Sequence, residues 1–231
     1  SLKDWTGNLN GSNSGASFST AGATMSGADY IGIGDLDLTT ATILVWWDIQ
    51  NIPATCGGLL SKCNSGNNDA YCNYGIRQRP VTSSDMVYFA GNDAHNYYVD
   101  DGRTQSITND LYVAAFRFDG SVYDAELNKS DDGSGSVTGT IEDDYNDVAR
   151  IGAEAGTTGC QPDAIFKKVI IYNTYKNDSF IDALIDEGVF YNAYALSGEN
   201  PNLEIKSFDL YDNSSVSNFT VTLTNGSSSS T

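Results

Sequence analysis

Short runs rich in apolar, β-branched and aromatic residues, set apart by polar turn residues, recur along this chain. Leu111–Asp119 is the clearest case: Leu111, Val113, Ala115 and Arg117 fall on one face, and Tyr112, Ala114, Phe116 and Phe118 on the other. Successive side chains of a strand point to opposite faces, so this run predicts a strand. Thr42–Gln50 (TILVWWDIQ) is apolar on both faces and rich in β-branched and aromatic residues, which predicts a central buried strand. Ala164–Asn173 (AIFKKVIIYN) predicts a second central strand.

Shorter strands are predicted at Ala16–Ala23, Ala28–Ile33, Met86–Ala90, Asn96–Val99, Val122–Leu127 and Val148–Ala153. Leu59–Cys63 and Asp69–Arg79 flank the turn-rich Asn64-Ser65-Gly66-Asn67-Asn68 and predict a hairpin. Helical spacing occurs at Phe180, Ile181, Leu184 and Ile185, and Gly188 follows as a stop signal. Asp131–Asp147 reads as a long, polar, acidic loop. Phe208–Tyr211 and Phe219–Leu223 predict a last strand pair, before a Ser-rich tail or linker. Many short strands and one helix imply an all-β, antiparallel jelly-roll sandwich. The expected organisation is a sandwich over residues 1–200, followed by a strand pair and tail over 201–231 that lead to a further module. A start at Ser1 rather than Met predicts a processed chain or a piece of a longer one.

Composition narrows the partners. Acidic residues outnumber basic ones 30 to 12, for a net charge of -18. Such a surface repels nucleic acid and anionic lipid, and no apolar run is long enough for a membrane span. The acidity serves solubility or, in loops, divalent cations. The four cysteines Cys56, Cys63, Cys72 and Cys160 lack zinc-site spacing, and the one histidine, His95, is distant in sequence. An even count with loop-like spacing predicts two disulfides and an oxidising compartment. Six Asn-X-Ser/Thr sequons, at Asn10, Asn128, Asn177, Asn213, Asn218 and Asn225, are candidate glycosylation sites.

Few residues suggest catalysis. There is no nucleophile-elbow pattern, and His95 is the only histidine, so the chain is expected not to be an enzyme. Arg77 and Arg79 lie two apart on one strand face, where they suit a uronate or sulfate; the ordinary alternative is pairing with acids such as Asp85 or Asp93. His95, Tyr97 and Tyr98 form an aromatic, hydrogen-bonding group suited to recognition, or to plain strand packing. Adjacent Trp46 and Trp47 point to opposite faces, so one is a candidate sugar platform and both are candidate core residues.

The order of several segments resembles the concanavalin A-like lectin/glucanase superfamily, in its laminin-G and pentraxin branch. The matching pieces are Asp29–Gly34, Thr42–Ile49, Leu59–Lys62, Tyr74–Arg77, Leu111–Ser121, Ala149–Ala153 and Ile165–Asn173 with the helix behind it. The resemblance implies that the strands at Thr42–Gln50 and Ala164–Asn173 are antiparallel neighbours, which pairs Cys56 with Cys160. Cys63 and Cys72, on opposite arms of one hairpin, form the second pair. It also implies calcium ligands at Asn68, Asp69 and Glu154, although Ala155 and Gly156 stand where the family has two further ligands. The family's glucanase motif is approached at Glu142–Asp147, but the last acid is Asp and the segment reads as a loop. The function this implies is a carbohydrate-binding or adhesion module, extracellular or on a cell or virion surface. The partner is a glycan or a surface protein, and the module belongs to a larger chain or homo-oligomer. The alternatives are a structural decoration protein making only protein contacts, and, least of all, a polysaccharide hydrolase or lyase.

Overall fold

The computed structural model describes residues 11–19, 21–51, 54, 56–63, 72–79, 85–91, 97–101, 110–137, 139–141, 148–154 and 160–186. Two compact units divide the chain, Ser1–Gly188 and Val189–Thr231. The second unit, the expected boundary at residue 200 and the strand pair after it lie outside the described residues.

The first unit is an antiparallel β-sandwich. One sheet, here the front sheet, runs in the order β12-β11-β10-β5-β14-β3-β2. Its strands are β2 (Ser17–Ser19), β3 (Gly22–Met25), β5 (Ala41–Asn51), β10 (Leu111–Phe118), β11 (Val122–Leu127), β12 (Ser130–Ser136) and β14 (Asp163–Tyr172). The back sheet runs β1-β4-β13-β6-β7-β8-β9. Its strands are β1 (Ser12–Ser14), β4 (Tyr30–Gly32), β6 (Gly57–Cys63), β7 (Cys72–Gln78), β8 (Met86–Gly91), β9 (Tyr97–Asp101) and β13 (Arg150–Ile151). One helix, α1, spans residues 178–186.

The division of β10 into two faces holds, and β5 is buried on both faces, as expected. Ile43, Val45, Trp47 and Ile49 of β5 and Ala114, Phe116 and Phe118 of β10 enter the main core. Facing them from the back sheet are Leu60, Tyr74, Ile76, Met86, Tyr88 and Ala90. The opposite face of the front sheet is apolar as well. There Leu44, Trp46, Val113 and Ala115 pack with Ile181 and Ile185 of α1. That second layer is why β5 is apolar on both faces. Asn177 starts the helix, its side-chain oxygen accepting a hydrogen bond from Phe180 N at 3.0 Å. Buried Thr42 holds the approach to it, donating to Thr174 O and accepting from Lys176 N, both at 2.9 Å.

Two expectations are corrected. Residues 130–136, expected as the start of a long loop, form β12 and pair with β11. Gly, Ser and Asp have low strand propensity, but the neighbouring strand and a buried anchor override it: Tyr88 of the back sheet donates its hydroxyl to Asp132 at 2.8 Å. The strand expected over Val148–Ala153 shortens to Arg150–Ile151, since Gly152 turns the chain at φ 82°.

Candidate functional site

On the outer face of the front sheet, α1 covers Leu44, Trp46, Val113 and Ala115. Trp46 is 4% exposed beneath α1 and Trp47 0% exposed in the core, so neither offers a sugar platform. At the edge of this layer Arg117 projects from β10 and gathers three carboxylates. Glu126 lies at 2.6 Å, Asp124 at 3.1 Å and Asp178, on the first turn of α1, at 2.5 Å. Arg117 also donates to Lys176 O at 3.1 Å and lies over the Tyr175 ring at 5.5 Å. Burial pushes the Glu126 carboxyl up to about 7, with Asp178, Asp124 and Asp182 adding to the rise and Arg117 opposing it. Burial also raises Asp124, again against Arg117. Burial disfavours the charged guanidinium, but the bonds and charges of its three partners outweigh it and the Arg117 pKa is raised. Two acids with raised pKa values would interest an enzymologist. Here a guanidinium joins them and Glu126 is 6% exposed, so they form a structural ion cluster tying α1 to the sheet. Sequence reading missed it. The available signal was Arg117 alternating onto the same face as Val113 and Ala115.

The back sheet carries different chemistry on its outer face. Val87 and Phe89 point away from the main core and cluster with Cys63 and Cys72. Arg77 pairs in register with Val87 and places its guanidinium 5.7 Å from the Phe89 ring centroid. Its Nη1 donates to both carboxylate oxygens of Glu154, at 3.2 and 3.4 Å. Gly75 makes room for this arrangement, because a Cβ there would meet Phe89 Cζ at 2.1 Å.

Glu154 reaches Arg77 because the chain after β13 is strapped across β6. Gly152 N donates to Leu59 O at 3.0 Å, Ser61 Oγ to Ala153 O at 3.0 Å, and Gly58 N to Cys160 O at 3.0 Å. Gly58 is required here, since a Cβ would lie 2.5 Å from Glu154 N. The Cys56–Cys160 disulfide fastens the same strap, and Cys63–Cys72 ties the β6–β7 hairpin. Both pairings agree with those implied by the family resemblance.

The predicted site residues distribute as follows. Arg77 and Glu154, predicted for different roles, meet each other. Arg79 faces Asp85 at 3.7 Å, the ordinary pairing considered for it. Tyr97 and Tyr98 fall on β9, in register with Gly91 and Ala90. His95, Asn68, Asp69 and the Glu142–Asp147 motif lie outside the described residues. The Glu154 carboxylate, expected as a calcium ligand, accepts hydrogen bonds from Arg77, and the two cysteines beside it form the Cys56–Cys160 disulfide. Of the glycosylation candidates, Asn128 and Asn177 are exposed. Asn10, Asn213, Asn218 and Asn225 lie outside the described residues. Among the described residues, no helix is long and apolar enough to cross a membrane.

No protein-family model matches the chain, and no curated protein matches it. Solved structures share its fold at low identity. The CBM40 domain of the Ruminococcus gnavus IT-sialidase is 15% identical with a TM-score of 0.54, over 66% of this chain and 92% of that one. Another structure of that domain has alpha2,3 sialyllactose bound. Domain 4 of AbnA, a GH43 extracellular arabinanase from Geobacillus stearothermophilus, in complex with arabinotriose, is 16% identical with a TM-score of 0.55. That match covers 77% of this chain and 89% of the domain. The binding domain of Paraclostridial Mosquitocidal Protein 1 is 13% identical with a TM-score of 0.58, and the match spans about half of it (49%).

Proposed function

We propose that this sandwich is a non-catalytic carbohydrate-binding module working outside cells or on a particle surface. The observation that carries this reading is its fold likeness to domains solved with glycans, one holding sialyllactose and another arabinotriose. Each match covers most of the neighbour's length, so the likeness is to a binding domain and not to an attached enzyme. The two disulfides support an oxidising compartment. We place the fold in the concanavalin A-like group, with laminin-G-like layout; the antiparallel pairing of β5 with β14 supports this.

The proposed binding face is the outer side of β6, β7 and β8, around Arg77, Phe89 and Glu154. Much of this face is buried as well, Phe89 and Glu154 included; the groups on it that reach the surface are Arg77 at 19%, Arg79 at 35% and Asp85 at 24%. In the sequence, Asn68 and Asp69 fall between β6 and β7, and His95 between β8 and β9. The test is a glycan array on the purified chain, run with calcium and then with chelator. Binding to one glycan class establishes the module. Calcium dependence would direct attention to Asn68, Asp69 and Glu154. No binding in either condition would favour a decoration protein with protein contacts alone.

A further inference from the structure

Sialyllactose carries a carboxylate and arabinotriose does not, so the fold leaves the charge of the ligand open. The charges of this chain address it. It has 12 Lys and Arg residues. Three of them, Lys3, Arg103 and Lys206, lie outside the described residues, which leaves nine. All nine are engaged. Lys62 is fully buried between Asp35 and Asp37, Arg77 holds Glu154, Arg79 faces Asp85, and Arg117 holds its three acids. Lys129 pairs with Asp186, and Lys167 with Asp48 at 3.7 Å. The last three lie over aromatic rings: Arg150 over Tyr30, Lys168 over Trp46, and Lys176 over Tyr172 and Phe180.

Among the described residues, the cations on the proposed face are Arg77 and Arg79. An acidic sugar reaching Arg77 would compete with Glu154, a carboxylate already in place and 1% exposed. Displacing it strands a buried charge. The same sugar approaches a chain with 18 more acidic than basic residues, and like charge across an interface is strongly unfavourable. A neutral sugar meets neither obstacle, since it binds by hydroxyl hydrogen bonds and stacking.

We infer that the ligand is a neutral glycan, and that the ion pairs Arg77–Glu154 and Arg79–Asp85 exclude sialylated, uronic and sulfated ones. This rests on the carbohydrate-binding reading above. The test compares matched glycans on one array, neutral oligosaccharides beside the same cores bearing sialic acid, uronic acid or sulfate, with and without chelator. The expected result is retention of neutral cores, with acidic counterparts bound at least about tenfold more weakly. The deficit should shrink as salt is raised, because screening weakens the repulsion. The double variant Glu154→Gln/Asp85→Asn, checked for folding by its melting transition, should gain binding to acidic glycans. Such a gain cannot come from unfolding. Equal or stronger binding of the acidic series by the wild-type protein, with or without calcium, overturns the inference and leaves the carbohydrate reading standing. Binding of no glycan at all overturns both.

Discussion

Arg77 on β7 and Glu154, 77 residues later, meet at 3.2 Å on the outer face of the back sheet. The carboxylate is 1% exposed and the guanidinium 19% exposed. A buried pair of this kind adds little over an apolar pair, but breaking it from one side is costly. Arg77→Ala should therefore destabilise the domain by about 3–5 kcal/mol in urea unfolding, and Glu154→Gln by less, because the amide still accepts from Arg77. Arg77→Met/Glu154→Leu should recover most of the loss. If the two single losses simply add in a double-mutant cycle, the residues do not act as a pair.

The two disulfides should differ in worth. Cys56–Cys160 closes a separation of 104 residues and Cys63–Cys72 one of 9. Loop-closure entropy assigns about 5 kcal/mol to the first and about 2.5 kcal/mol to the second. Replacing each pair by serine and comparing unfolding midpoints checks this. A larger loss from the short loop would show that entropy of the unfolded chain is not what the long bridge acts on.

Stability should fall as pH rises from about 4.5 to about 7. Glu126 sits at about 7 in the folded protein, against an ordinary 4.5, so the folded state holds its proton more tightly. Wherever the folded state binds the extra proton, raising pH removes stability. Asp124, also raised, acts in the same direction. Glu126→Gln should flatten this slope and gain roughly 1–3 kcal/mol near pH 7.5. Urea titrations at pH 5 and pH 7.5 on both proteins decide it; an unchanged slope in the variant means that another group sets the pH dependence.

The turn between β11 and β12 offers a stabilising change. Asn128 and Lys129 both have positive φ, 50° and 66°, as a two-residue type I′ hairpin requires. Asn tolerates this conformation and Lys does not. Lys129→Gly should stabilise by about 0.5–1 kcal/mol, since the exposed pair it gives up with Asp186 is worth little. A lower melting temperature would mean that the pair outweighs the strain.

Legibility followed the source of each constraint. β5 and β14 were readable as long apolar runs rich in β-branched and aromatic residues, β10 from its two faces, and α1 because Phe180, Ile181, Leu184 and Ile185 recur at helical spacing. β12 was not, because Ser130–Ser136 has no such pattern and depends on β11 and on Tyr88 reaching Asp132. The site shows the same limit. Arg77 and Glu154 were each singled out, but for an acidic sugar and a metal ion, because sequence cannot show that the strap over Gly58 brings them together. Arg117 escaped notice entirely, since its partners come from β11 and from α1, 61 residues further on at Asp178.

The Cys63–Cys72 bridge holds the two ends of the β6–β7 connection with their Cα atoms 3.8 Å apart. Cys63 and Cys72 are also partners in the β6–β7 ladder, so one covalent bond sets both where the two strands part and how they are aligned: the register of this hairpin is anchored by chemistry as well as by packing.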